Sequence, residues 1–342
     1  MRKMYYLALS MLAMVTAVLT GCKSENPTRF VLATYNIRFE GQGDYDNGNG
    51  WSTRRDYVSQ LIRFHDFDIF GTQEGLHNQL EDLKDRLPGF DYIGVGRSDG
   101  KQEGEYAAIF YRTDMFEVLD HGDFWLSTIT DKPNVGWDAA LPRVCTWGKF
   151  RMKSNGFTFI YYNLHMDHIG VVARAESAKL ILEKVTENPE KLPAILSGDF
   201  NIDQNNESFK LIDNSGIMSD SYRIADFKYQ NNGTYNAFGA ASPTKDERID
   251  HVFLTRDFHV YKYGVLTDVY YSESTGADGN ITRVARTPSD HFPVKVVVGV
   301  GSNDTMTSIR LARSAEACGA DGILMVTPYY NRTNQAGLVR HF

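Results

Sequence analysis

One juxtaposition limits what this chain can fold into: short β-prone apolar runs end, one after another, on polar residues able to do chemistry. Residues 30–37 are rich in β-branched and aromatic side chains and carry Asn36, residues 68–72 lead to Glu74, and residues 157–163 lead to His165 and Asp167. Residues 194–196 deliver Asp199 and Asn201, residues 249–254 carry Asp250 and His251, and Asp290 and His291 stand just before the run 294–298. Further strands are expected at 92–95, 106–111, 144–151 and 260–265, with helices at 54–65 and 171–186, where apolar residues recur at helical spacing. The Gly- and Asn-rich stretch 41–50 reads as a loop. Strands and helices interleave, but hairpin-like neighbours are frequent, so the expectation is an α/β (α+β) fold with mixed sheets. At the edge of such a sheet, loops bring together residues remote in sequence.

The types of residue at these strand ends narrow the chemistry. Carboxylates and Asn oxygens without a Cys cluster favour a hard cation such as Mg²⁺ or Ca²⁺ over a structural Zn²⁺. His beside Asp suits general acid–base work, and a hard cation with His–Asp pairs is the kit for hydrolysing a phosphate ester. Singly each residue is a weak signal, since an Asn after a strand commonly just forms a turn; the ensemble carries the reading. The net charge of −7 argues against holding nucleic acid by charge alone. The alternative is a catalytically silent binding module, which would not need Glu74, Asp199, Asn201, Asp250 and His291 all intact.

The ordered segments "TYNIR", "GTQEG", "YNLHMDH", "SGDFN", "RIDHVF" and "SDHFPV" resemble the endonuclease/exonuclease/phosphatase superfamily, the group of DNase I. "GVGRSDGKQEGEYAAIFYR", "DFWLS" and "GWDAALPRVCTW" further resemble a secreted or lipid-anchored branch of Bacteroides-like bacteria. The resemblance implies a four-layer sandwich, two mixed β-sheets face to face with helices outside, and a Mg²⁺-dependent phosphoric ester hydrolase, with Mn²⁺ or Ca²⁺ as substitutes. It places Glu74, Asn36 and Asp290 at the metal. Asp199 and Asn201 would orient the attacking water and hold a phosphate oxygen, and His291 would be the general base, oriented by Asp250. His165 would meet the phosphate or the leaving group, with Glu105 as its acidic partner. Asp167 and His168 match the branch's HxDH pattern, and both loop ordering and direct chemistry stay open for them; His251 reads as a packed strand residue. Whether the substrate is a diester or a monoester, and of nucleic acid, lipid or sugar, rests in the loops. Trp51 and Trp137, in Gly-rich surroundings, are the candidates for substrate stacking, whereas Trp125 and Trp147 sit in apolar runs and read as core.

The two ends of the chain read differently. Arg2 and Lys3 precede an apolar run over residues 5–19, and Leu19-Thr20-Gly21-Cys22 resembles a lipobox. The expectation is a signal peptide (1–21) and a monomeric phosphoesterase (29–298) on a short tether (22–28). Cys22 would anchor it by lipid to a bacterial outer membrane, on the periplasmic or cell-surface side, with no dedicated protein partner. Cys22, Cys145 and Cys318 give no expected disulfide and no Cys metal site. Residues 299–342 have a βαβ pattern and resemble an internal fragment of dihydrodipicolinate synthase, a (β/α)8 (TIM) barrel family, so the chain reads as a chimera. Tyr330 matches a proton-relay position of that family, but no Lys follows Lys295 to form a Schiff base, so lyase activity is not expected.

Overall fold

Strand β1 (Thr28–Asn36) shows how the layers arise. Alternate residues of a strand face opposite sides, and here Phe30 and Leu32 enter one core while Ala33 and Tyr35 enter another. The computed structural model describes residues 28–229, 232–239, 246–275 and 280–300. The expected signal segment, Cys22 and residues 301–342 lie outside them. The architecture below belongs to the unit Arg29–Val300.

The strands that follow are β2 (Ile69–Gln73), β3 (Phe90–Ile93), β4 (Ile109–Arg112), β5 (Phe116–Trp125), β6 (Val144–Met152), β7 (Thr158–His165) and β8 (Ala194–Asp199). After them come β9 (Ser219–Asp220), β10 (Phe227–Tyr229), β11 (Asp250–Leu254), β12 (His259–Val265), β13 (Tyr270–Thr275), β14 (Ile281–Arg286) and β15 (Val294–Val300). One sheet has the order β10-β12-β15-β1-β2-β4-β3 and the other β5-β6-β7-β8-β11-β9, while β13 and β14 form a separate hairpin. Both large sheets are mixed, with β1–β2 and β7–β8 parallel and β2–β4 and β8–β11 antiparallel.

The helices are α1 (Gln42–Asp46), α2 (Trp51–Phe64), α3 (His77–Arg86), α4 (Val171–Thr186), α5 (Glu207–Asp213) and α6 (Ser221–Ile224). Val58, Leu61 and Ile62 of α2 and Leu80 and Leu83 of α3 pack on the outer face of the first sheet. Ala178, Ile181 and Val185 of α4 and Phe209 and Ile212 of α5 cover the outer face of the second. A third core, including Phe30, Phe150, Phe159 and Val296, fills the space between the sheets. The result is the four-layer sandwich that the resemblance implied. The Asp138 carboxylate accepts from the Val172 and Ala173 N–H groups (3.1 and 2.7 Å) and so satisfies donors that the first turn of α4 leaves open.

Several local expectations need correction. Residues 41–50 contain α1 as well as loop, and the strands expected at 92–95 and 106–111 are β3 and β4, displaced along the chain. β5 escaped sequence reading because a bulge between Val118 and Asp120 breaks its alternation. α3 escaped because "HNQLEDLKDR" has only two apolar side chains to mark its buried face.

Candidate active site

On five strands the inner face changes character in the same direction. β1 reads Phe30, Leu32, Thr34, Asn36; β2 reads Ile69, Gly71, Gln73, with Glu74 next; β7 reads Phe159, Tyr161, Asn163, His165. β8 reads Ile195, Ser197, Asp199, and its antiparallel neighbour β11 reads Leu254, Val252, Asp250. The registers His165↔Asp199 and Asp250↔Asp199 bring three of the candidate site residues side by side.

A hydrogen-bonded tier lies just beneath them. Gln73 Nε2 donates to Thr34 Oγ1 (3.0 Å) and, across the gap between sheets, to Asn163 Oδ1 (2.8 Å). Asn163 Nδ2 returns hydrogen bonds to the Thr72 and Ala108 carbonyls (both 2.9 Å), and Ser197 Oγ donates to Asn163 Oδ1 (2.9 Å). Gly71 permits this crossing, since a Cβ there would stand 2.2 Å from Asn163 Oδ1.

Above the tier, ligand atoms of Glu74, Asp199 and His291 lie within 4.8 Å of one another. Asn36 Nδ2 donates to Glu74 Oε1 and Asp199 Oδ2 (3.0 Å each), tying the ends of the two sheets together. Asp290 stands outside that trio, its Oδ2 3.7 Å from Arg38 Nη1, which is itself 3.8 Å from Glu74 Oε2. Arg38, Glu74 and Asn201 adopt left-handed backbone, with φ of 57°, 65° and 51°. Such conformations carry strain and gather at functional sites; here they turn the chain sharply where strands end.

The two histidines are set up in opposite senses. His291 Nδ1 donates to Asp250 Oδ2 (2.8 Å), leaving Nε2 facing Asp199 Oδ2 at 3.7 Å. Burial opposes a charge on His291, but the Asp250 and Asp199 carboxylates outweigh it and hold its pKa well above the ordinary value. Burial, aided by the Arg143 and Arg97 charges, pushes His165 well below it. Asn201 Nδ2 donates to the Met166 carbonyl (3.0 Å) and to His165 Nε2 (3.1 Å), which assigns the His165 proton to Nδ1. Burial and the Asp250 charge push the Asp199 carboxyl up, and burial does the same to Asp290.

These groups open into a cleft of about 490 Å³ that is also lined by Arg38, Arg97, Glu105, Arg143 and His168. Glu105 spends both oxygens on Arg97 (2.6 and 2.7 Å), and its Oε2 is 3.8 Å from His165 Nδ1, beyond hydrogen-bond reach. Asp167 is buried beneath the His165 loop, accepting from Ile169 N (3.0 Å), Gly170 N (2.8 Å) and Arg143 Nε (3.2 Å). His251 lies outside the cleft, its Nε2 against the Ile202 carbonyl (2.9 Å) and its ring among Phe200, Phe209 and Phe253. Trp51 corrects an expectation: it is 1% exposed, opens α2, and donates its indole N–H to Asp82 (2.9 Å), so it is a core residue. Trp137 does not line the cleft, whose aromatic side chains are Phe39 and Tyr235. The sequence pattern does not single out Arg38, Arg97 or Arg143, which the structure places on the cleft.

The sequence model of the Endonuclease/Exonuclease/phosphatase family matches residues 33–291. This chain belongs to that family. Members of the Endonuclease/Exonuclease/phosphatase family are typically phosphoester hydrolases and generally use a divalent metal. A family protein from Bacteroides thetaiotaomicron is 51% identical, with a TM-score of 0.77 over 81% of this chain and 100% of its own. The mannosyl-6-phosphatase of the same organism is 52% identical, with a TM-score of 0.75 over 79% of this chain and 99% of its own. The human Nocturnin catalytic domain, 16% identical with a TM-score of 0.60 over 80% of this chain and 94% of its own, shares the fold.

A second model, of the dihydrodipicolinate synthetase family, matches residues 280–342, an earlier start than the 299 read from the sequence. A 4-hydroxy-tetrahydrodipicolinate synthase of Methanococcoides burtonii is 36% identical over 104 residues, 29% of this chain. That of Bartonella tribocorum is 61% identical over 49 residues, 14% of this chain. The chain spans 36% and 17% of those two relatives' lengths. Within the described residues of this match, β14 pairs with β13 and β15 with β12.

Proposed function

We propose that the chain is a metal-dependent phosphomonoester hydrolase acting on a phosphorylated sugar. The observation that carries the hydrolase reading is the Glu74–Asp199–His291 trio, with His291 backed by Asp250 at the open end of the sandwich. The donor set fits a divalent cation. Glu74, Asp199 and His291 offer ligand atoms within 4.8 Å of one another; burial first, and then the neighbouring Asp250 and Glu74 charges, push the Asp199 and Asp290 carboxyls up, a strain that a bound cation would relieve. Glu74, with Asn36 and Asp290 beside it, would hold the ion, Mg²⁺ first and Mn²⁺ or Ca²⁺ as substitutes. When bound, the ion would supply charge stabilisation at the phosphoryl oxygens.

The chain's own groups divide the remaining work. His291 Nε2 takes a proton from the attacking water, while Asp250 fixes the ring through Nδ1. Asp199 orients that water, and the hydrogen-bonded Asn201–His165 unit meets the phosphoryl group. Water oxygen bonds to phosphorus as the bond to the leaving oxygen breaks, and no covalent enzyme intermediate is needed.

The 52% identity to a mannosyl-6-phosphatase supports a sugar monoester. So does the pairing of the cleft's Arg97 and Arg143 with acids, which leaves little free positive charge for a nucleic-acid backbone. The test is an assay of the full chain on hexose 6-phosphates, phenyl phosphate, bis(p-nitrophenyl) phosphate and DNA, with Mg²⁺ and with EDTA. Chelator-sensitive phosphate release from monoesters is expected. Faster turnover of either diester overturns the monoester reading, and activity that survives both EDTA and His291→Ala overturns the mechanism.

Export with lipid anchoring at Cys22 is part of the same proposal, on the strength of "LTGC" after an apolar run. Among the described residues no helix is long and apolar enough to cross a membrane. Palmitate labelling that persists in a Cys22→Ala variant would exclude the anchor.

A further inference from the structure

We propose that Arg143, together with the Arg97–Glu105 pair, forms a subsite that reads hydroxyl groups on the leaving-group side of the ester; this rests on the hydrolase reading above. His165 divides the cleft. Its Nε2 is 3.6 Å from Asp199 on the carboxylate-rich side, and its Nδ1 is 3.8 Å from Glu105 on the other. A phosphoryl group held against Asp199, Asn201 and His165 therefore directs its ester oxygen toward a wall built from Arg97, Glu105, Arg143 and His168.

That wall is polar, fixed and balanced in charge. Arg97 and Glu105 form a two-armed ion pair. Arg143 is 4% exposed, its Nε held by Asp167 (3.2 Å) and its Nη2 against His168 Nδ1 (3.0 Å). Its third arm is unspent: Nη1 is buried and has no hydrogen-bond partner among the described residues. A buried donor without a partner is costly, and a ligand acceptor is a physical reason to retain one.

The chemistry of the wall selects its ligand. Two guanidiniums face two carboxylates, counting Asp167 behind Arg143, so a second phosphate or a carboxylate would meet no net positive charge. A flat base would find Phe39 and Tyr235 as the cleft's aromatic faces, and neither belongs to this wall. An uncharged polyol suits it, its hydroxyls accepting from the Arg143 guanidinium and donating to Glu105. Asp167 is then a positioning residue, anchored by two backbone N–H groups so that Arg143 keeps its pose.

The experiment compares two monoesters, a hexose 6-phosphate and phenyl phosphate, on the full chain with Mg²⁺. Arg143→Met should lower kcat/KM for the hexose phosphate about tenfold or more, chiefly through KM, and that for phenyl phosphate less than about threefold. Arg143→Lys, which keeps the charge but loses the fork, should show the same split. Equal losses on both esters, or no loss on the hexose ester, would overturn the subsite. If Arg143→Met does not fold, His168→Ala removes a half-exposed ring that steadies Nη2 and should give a smaller split in the same direction. Saturation-transfer NMR with free hexose separates this inference from the hydrolase reading. Binding to the unaltered chain that Arg143→Lys weakens supports the subsite even without turnover, and no binding to the unaltered chain overturns it.

Discussion

The space between the two sheets has two ends that are held together by different forces. At the end away from the site, Phe30, Phe116, Phe150, Phe159 and Phe258 interlock, with neighbouring ring centroids such as Phe30–Phe116 and Phe150–Phe159 5.7 and 5.8 Å apart. At the other end Thr34, Gln73, Asn163 and Ser197 exchange hydrogen bonds across the gap. Apolar burial favours contact without fixing direction, whereas a hydrogen bond tolerates only a narrow range of distance and angle. The aromatic end thus keeps the sheets together, and the polar end fixes the offset at which Asn36 and Glu74 of one sheet meet Asp199 and His165 of the other.

The severest way to break the comparison is to remove what the polar end positions. His291→Ala should lower kcat by about 10²- to 10⁴-fold, read by steady-state kinetics on a monoester at saturating Mg²⁺. Phe159→Ala attacks the aromatic end and should cost about 3–5 kcal/mol of stability in urea unfolding, while kcat of the folded fraction stays within a few-fold of the parent. If kcat collapsed along with stability, the two ends would not be separable. Asn163→Ala removes the hydrogen bonds to Gln73, Ser197 and the Thr72 and Ala108 carbonyls and should cost about 1–3 kcal/mol; its fall in kcat should exceed that of Phe159→Ala despite the smaller loss of stability.

The mildest test concerns Asp167, beside the polar end. Burial alone would raise its pKa, but N–H donors from Gly170, Ile169 and Ala140 and the Arg143 charge outweigh burial and hold it well below the usual carboxylate range. A depressed folded-state pKa gives stability that is present above the unfolded value of about 4 and is lost as pH falls below it. The Tm gap between the parent and Asp167→Asn should therefore be constant at neutral pH and narrow on acidification below about pH 4. A gap that widened in acid would remove this carboxylate from the set of fixed charges.

The placement of the candidate site residues was legible because they end β-strands whose alternation is strong. Asn36, His165, Asp199 and Asp250 each lie on the inner face two residues beyond a buried neighbour, so the same pattern that marks the strand also places the side chain. Helix α4 was legible over its whole length for a similar reason, since Ala178, Ile181 and Val185 recur at helical spacing. Arg97 and Arg143 were not legible. An arginine outside a strand pattern usually faces water, and only the tertiary meeting with Glu105 and Asp167 shows that these two are buried. Trp51 misled for a comparable reason, because the glycines before it suggested a loop, yet Gly50 ends that loop and Trp51 starts a helix. The β13–β14 hairpin left little trace, since β14 is exposed on both faces along most of its length.

Strand β15 sits between β12 and β1, so the first strand of the described domain is a direct neighbour of the last. Ser289 Oγ donates to the Asn36 carbonyl (2.7 Å), joining the two ends of the domain at the cleft itself. β1 comes first in the chain and keeps one edge unpaired until β15, almost at the other end of the domain, is there to pair with it. Contacts of such wide sequence separation slow folding, and an open strand edge in the interval invites pairing with another chain. The arrangement that unites Asn36 with His291 thus leaves the first strand with an open edge until almost the whole domain is available to fold.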